Sequence, residues 1–314
     1  MPKIDFVAAL IRTIGTKNYA MTKKLIEQMI AQERSANKTA SAEKLEQALR
    51  SWPNALRRTE LPANIASFAW SEDSTRYLSD VFLDDDVLLG VKTFLQERKN
   101  YDVIHSSNLP VQKSLLLVGP PGNGKTTLAL ALANELNLQL ISVKMYSLID
   151  SYMGASSRNV GKIFEYAMAN DCLLFIDEFD AIGSQRVKSA ENSGREYNSI
   201  VATLLTSIDR FPDNSVLVAA TNMPDAIDPA IQRRFDAKLW MSNPSVIHIE
   251  KYILKYQTDH NIRLHKSIFE LTSQLDGESW STVERTCVNL HKQLLLEQHS
   301  NKTEQPGMQP GLAI

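Results

Sequence analysis

The sequence predicts an α/β fold: a parallel sheet with helices on both faces, a small all-helical segment before it and a helical lid after it. Three observations carry that prediction. Short apolar runs at 114–118, 139–143, 172–176, 216–220 and about 237–241 alternate with longer amphipathic segments, the pattern of strands joined by crossover helices. Before residue 59 and after Pro244, apolar residues recur instead at helical spacing. The 314 residues, 43% of them hydrophobic, suffice for one main domain with smaller appendages.

From the N-terminus, residues 1–58 are expected to form a helical domain. Ile4, Ala8 and Ile11 mark one apolar face, Met21, Leu25, Ile26, Met29 and Ile30 a second, and Leu45 and Leu49 a third. Ser41 is placed to cap the third helix and Trp52-Pro53 to end it, because proline disfavours helical geometry in its predecessor. Basic residues outnumber acidic ones here, which reads first as a solvated face and second as a docking surface for an acidic partner. Residues 59–80 read as a linker, 81–244 as the α/β domain and 245–300 as the lid, with Leu290, Leu294 and Leu295 on one stripe. The polar 301–314, bearing proline and glycine, reads as a disordered tail.

Charge and apolar runs narrow the function. A net charge of −2 argues against a chain devoted to phosphate backbones, although a local basic patch remains open. The apolar runs are too short to cross a bilayer and the N-terminus has no signal-like apolar segment, so a cytoplasmic protein without a membrane partner is expected. Cys172 and Cys287 have no metal-ligand spacing and read as buried free thiols.

The chemistry is concentrated in ordered motifs. Gly119-Pro120-Pro121-Gly122-Asn123-Gly124-Lys125-Thr126 lies between an apolar strand and an apolar helix, with Thr127 next on the first turn. Glycines let backbone N–H groups wrap a nucleotide's phosphates, the helix N-terminus adds positive potential, Lys125 reaches the terminal phosphates and Thr126 holds Mg²⁺. The run "CLLFIDEFDAIG" ends an apolar strand in Asp177-Glu178. There Asp177 suits the metal and Glu178 the base that polarises the attacking water. A further strand ends in Thr221-Asn222, whose amide can orient that water, and Arg233-Arg234 follow Asp228-Pro229. Alone, that asparagine would read as a turn former and the arginine pair as an exposed helix end.

In this order, over about residues 80–300, the motifs resemble the AAA family of ring-forming ATPases. The resemblance implies ATP and Mg²⁺ as cofactors and a homo-oligomeric ring, usually a hexamer. It makes Asn222 the sensor 1 residue and Arg233 and Arg234 the arginine fingers that act on ATP bound to the neighbouring subunit. The lid departs from the family's pattern: "GESWSTVERTC" stands where many members carry a serine-glycine-alanine-aspartate run. Trp280 reads there as lid packing, and Arg285 as a lesser candidate for a phosphate contact like that of a sensor 2 arginine. Val81 to Leu83 is the segment expected near adenine.

Between the nucleotide loop and the acidic strand, "SYMGASSRNVG" resembles by position the first pore loop of AAA rings. Tyr152, Met153 and Gly154 would face the central channel, the aromatic gripping a threaded chain whatever its sequence; otherwise Tyr152 packs on its own domain. "GSQRVKSAENSGRE" is a second channel-loop candidate or a flexible surface loop.

The function implied is ATP-driven remodelling, unfolding or translocation of a protein client. No H-E-x-x-H run occurs, so peptide cleavage would come from another chain. The N-terminal helices, "KKLIEQMIAQERSANKTASAEKLEQAL", are similar to those of small bacterial AAA ATPases encoded beside a subtilisin-like serine protease and associated with plasmid incompatibility and phage defence. A nucleic-acid motor or loader, suggested by the basic N-terminal excess, and a slow ATP-dependent assembly switch are the alternatives.

Overall fold

The structure is a computed structural model, and it describes residues 19–35, 38–50, 60–72, 76–149, 155–183 and 191–303. The expected face at Ile4, Ala8 and Ile11, the Trp52-Pro53 stop, the Tyr152-Met153-Gly154 triplet, residues 184–190 of the second channel-loop candidate and the tail beyond Thr303 lie outside the described residues. The chain divides into two compact units. The first comprises Met1–Val81, Asp86–Gly119 and Lys125–Trp240, and the second Phe82–Asp85, Pro120–Gly124 and Met241–Ile314.

The first unit opens with α1 (Tyr19–Ser35) and α2 (Thr39–Arg50). Ile26 and Ile30 of α1 are buried against Ala42 and Leu45 of α2, the contact that the apolar spacing anticipates. Because α2 begins at Thr39, Ser41 sits inside the first turn and not at the cap. A short turn, α3 (Ala63–Ala66), leads into β1 (Ala69–Glu72).

The sheet has six strands in the order β1-β3-β4-β5-β2-β6, with β2 (Ser114–Val118), β3 (Gln139–Lys144), β4 (Cys172–Asp177), β5 (Val216–Thr221) and β6 (Ala237–Trp240). All pairings are parallel except β1 with β3, which is antiparallel from Ala69↔Val143 to Glu72↔Leu140. Residues 59–80 are therefore not a plain linker, since four of them supply an edge strand whose polar face gives no apolar signal. Strands β2 and β5 are buried along their whole length, as strands covered on both faces must be. The crossovers are α4 (Asp85–Lys99) with α5 (Tyr101–Ser106) before β2, α6 (Lys125–Glu135), α7 (Met145–Leu148) with α8 (Ala155–Ala169), and α9 (Glu191–Asp209). Phe164 of α8 and Phe211 after α9 meet edge to face at 5.9 Å in the core beside β4. A single helical turn, α10 (Pro229–Gln232), precedes β6.

The second unit contains α11 (Val246–His260), α12 (Ile268–Leu275) and α13 (Trp280–Thr303) around Ile249, Ile253, Leu271, Leu275, Val283, Cys287 and Leu294. Asn261 closes α11 in the left-handed conformation, at φ 50°, and the Ser267 hydroxyl caps α12 by accepting the Glu270 N–H at 3.2 Å. Leu290 and Leu294 pack on this core, but Leu295 is 54% exposed, so the expected stripe excludes it. One step past the i, i+4 pair turns a side chain about 100° away from their face. No described helix is long and apolar enough to cross a membrane.

Candidate functional site

The site is built where the parallel strands end. At the end of β2 the Gly119 N–H donates to Thr221 O on β5 at 3.2 Å, which ties the start of the glycine loop to the neighbouring strand. Gly122 and Gly124 adopt φ +81° and +79°, a region that residues with a Cβ resist. Lys125 then opens α6, and its side chain is buried against the strand ends. The Lys125 Nζ donates to Gly119 O and to Asn222 Oδ1, both at 2.7 Å. Burial pushes its ammonium below the usual lysine range, while the nearby Asp177 and Asp180 carboxylates pull it back up. The structure thus brings the loop lysine and the strand-end asparagine into direct contact.

Thr126 and Asp177 meet one strand over. The Thr126 hydroxyl donates to Asp177 Oδ2 at 3.4 Å, and the other carboxylate oxygen accepts the Glu178 N–H at 2.8 Å. A hydroxyl and a carboxylate at this separation form the hard oxygen donor set that Mg²⁺ takes, so these residues fit that ion.

Glu178 has φ +54°, an uncommon conformation for a residue with a long side chain. Its neighbours fix it: the Phe179 N–H donates to Ala220 O of β5 at 2.9 Å, and the Ala181 N–H donates to Glu178 O at 2.9 Å. The carboxylate is half-exposed, with the Lys144 ammonium at 3.9 Å as a loose ion partner. The turn therefore holds the Glu178 carboxylate at the strand ends, open to solvent and beside Asp177.

Asp180 joins this cluster, although no motif in the sequence marked it out. Its Oδ1 accepts the Thr221 hydroxyl at 2.8 Å and the Asn222 N–H at 3.1 Å, clamping the end of β5 so that the Asn222 amide faces Lys125. The signal available was only a third acidic residue in "DEFD", and sequence does not say which of these faces β5.

Arg233 and Arg234 are not brought to this cluster. They stand just before β6, whose Ala237 pairs with Leu115 at the opposite end of β2 from the glycine loop. Three contacts set the segment. Asp228 N-caps α10 by accepting the Ala230 N–H at 2.8 Å. The Phe235 ring is buried edge-on against Phe179 at 5.9 Å. Asp236 Oδ2 accepts the Lys113 and Ser114 N–H groups at 2.8 and 2.9 Å. Both arginines are exposed; Arg234 pairs with Asp209 at 3.2 Å, and Arg233 makes no ion pair with a described residue.

The loop tip belongs to the second unit. There the Ser281 N–H donates to Gly122 O at 3.0 Å, and a Cβ on Gly122 would stand 2.4 Å from the Ser281 hydroxyl. Trp280 packs against Phe82 and Tyr252, at 5.3 and 5.7 Å between ring centres, the lid packing expected of it. Arg285 is exposed on α13. Phe82 and Leu83 belong to this unit and Val81 to the first.

Residues 115–243 match the model of the ATPase family associated with various cellular activities, AAA. The chain is 32% identical over 294 residues to an uncharacterized AAA family ATPase, y4kL, of Sinorhizobium fredii, covering 90% of this chain and 87% of that one. It is 36% identical over 164 residues to the ATP-dependent zinc metalloprotease FtsH of Mycobacterium bovis and 39% identical over 186 residues to the peroxisomal ATPase PEX6 of Arabidopsis thaliana. These matches take in 51% and 55% of this chain but only 21% and 20% of those proteins. The FIGL-1 AAA domain, solved in complex with ADP, shares the fold with a TM-score of 0.57 at 22% identity over 73% of this chain and 79% of that one.

Proposed function

The chain belongs to the AAA family of ATPases and hydrolyses ATP to ADP and phosphate, and we propose that it does so as one subunit of a homo-hexameric ring that remodels, unfolds or translocates a protein client. The observation that carries the ring is the distance between Arg233-Arg234 and the chain's own glycine loop, at opposite ends of β2. Exposed arginines on a segment that Asp228, Phe235 and Asp236 hold in place, away from their own nucleotide loop, suit the nucleotide of a second copy.

In this reading the backbone N–H groups of residues 119–126 wrap the phosphates and Lys125 exchanges Asn222 Oδ1 for phosphate oxygens. Thr126 and Asp177 would hold Mg²⁺, which supplies positive charge against the phosphates when bound. Glu178 accepts a proton from the attacking water as its oxygen bonds to the γ-phosphorus, and Asn222, clamped by Asp180, orients that water. Arg233 and Arg234 of the adjacent subunit neutralise the charge that develops on the departing ADP and the transferred group. A finger supplied in trans is worth about 10³ to 10⁵ in rate, so Arg233→Ala with Arg234→Ala should cut hydrolysis far more than ATP binding.

The client-gripping role falls to Tyr152, Met153 and Gly154 on the strength of their sequence and position. Tyr152→Ala should keep much of the ATPase activity and lose remodelling. The narrower resemblance to ATPases encoded beside a subtilisin-like protease supports a serine protease as partner in phage defence or plasmid incompatibility, tested by copurification. The experiment that tests the client is a pull-down with Glu178→Gln, which holds ATP without hydrolysing it. Protein retained in an ATP-dependent way is expected; nucleic acid alone would overturn the reading in favour of a nucleic-acid motor.

A further inference from the structure

Within the glycine loop, the Asn123 side chain is turned into the protein. Asn123 is 1% exposed. Its Nδ2 donates to Met241 O at 3.3 Å and to Asn243 Oδ1 at 2.8 Å, while its Oδ1 accepts the Trp280 N–H at 3.2 Å. An amide has two donor hydrogens and one carbonyl oxygen, so both hydrogens and the oxygen are engaged by the segment entering the lid and by the first residue of α13. Asn243 extends the chain of contacts: its own Nδ2 donates to Gly277 O at 2.7 Å, in the turn before α13, where Gly277 has φ +78°. A hydroxyl side chain in place of Asn123 would have only one hydrogen for the two acceptors. Next to it, the Ser281 N–H and Gly122 O form a second link between the start of α13 and the loop.

We infer that Asn123 is a positioning residue that fastens the phosphate-binding loop to the lid, so that the shape of the loop and the first turn of α13 change together when nucleotide enters. The compact unit that gathers Pro120–Gly124 with Met241–Ile314 has this amide at its joint. Trp280 carries the movement into the lid core, because its backbone is held by Asn123 and its ring lies on Phe82 and Tyr252. The inference rests on residues 119–126 being the phosphate loop, and adds a role that no phosphate contact explains.

The test uses the full chain and MgATP. Asn123→Ala and Asn243→Ala should each raise the KM for ATP by about tenfold, the scale of one buried polar group left unpaired, with kcat moved much less. Because both act through one contact chain, the double variant should be no worse than the more affected single one. A second readout survives any loss of stability. In a chain whose Trp52, Trp70 and Trp240 are phenylalanine, ATP should shift the Trp280 fluorescence, and Asn243→Ala should remove that shift at saturating ATP and at a temperature where the fold is intact. An unchanged KM in Asn243→Ala, effects that multiply in the double variant, or an undiminished Trp280 shift would each overturn the inference. Failure of the loop assignment would look different, as retained ATP binding by Lys125→Ala.

Discussion

Glu178 shows how much surrounding structure one candidate catalytic side chain needs. A non-glycine residue at φ +54° costs on the order of 1–3 kcal/mol, and it persists here because two backbone–backbone hydrogen bonds and one from its own N–H to the Asp177 carboxylate hold the turn. Asp180 does the complementary work on β5, holding the Asn222 N–H and the Thr221 hydroxyl with one oxygen. Asp180→Ala should therefore lower kcat roughly 10²-fold, the scale on which small displacements of catalytic groups act, while leaving ATP affinity nearly intact. Steady-state hydrolysis with a separate nucleotide-binding titration checks both halves. Lys125, Thr126, Asp177, Glu178 and Asn222 were legible because their spacing along strand-loop-helix runs is itself the signal. Asp180 and the direction of the Asn123 side chain were not, since each depends on which neighbouring strand or turn comes within hydrogen-bond reach.

Among the elements, the buried parallel strands were the easiest to read. Their unbroken apolar runs fix β2, β4 and β5 to within a residue, as expected of strands with both faces covered. β1 escaped for the opposite reason: only Ala69 of its four residues is buried, and its pairing with β3 comes from tertiary contact. Burial in these elements also has a chemical consequence. Desolvation within β4 pushes the Cys172 thiol up to about 12, and burial in α13 pushes Cys287 up to about 11. Since the thiolate is the reactive form and a raised value keeps the proton on, both should resist a thiol alkylating reagent at pH 8 in the native protein and react once it is denatured. Mass spectrometry of the treated protein checks this; rapid labelling of Cys172 in the native state would contradict the placement of β4 at the core.

For the whole molecule, the division into two units explains why the sequence suggested a lid beginning near residue 245 while the structure draws its unit from three stretches of chain. Phe82–Asp85 and Pro120–Gly124 join Met241–Ile314 through contacts remote in sequence, so no run of residues announces them. The same holds for the arginine pair, whose motif is legible but whose distance from its own loop follows only from the register of β6 on β2. That distance is the basis of the central claim that each nucleotide site is completed by a second copy. Mixing two inactive variants tests it most directly. Lys125→Ala should lose nucleotide binding while keeping the arginines, and the Arg233→Ala, Arg234→Ala double variant keeps the loop but lacks them. Each alone should hydrolyse almost no ATP, and the mixture should regain activity at interfaces where one supplies the loop and the other the arginines. Full turnover by the double arginine variant alone, or no recovery in mixtures shown to co-assemble, would contradict the claim.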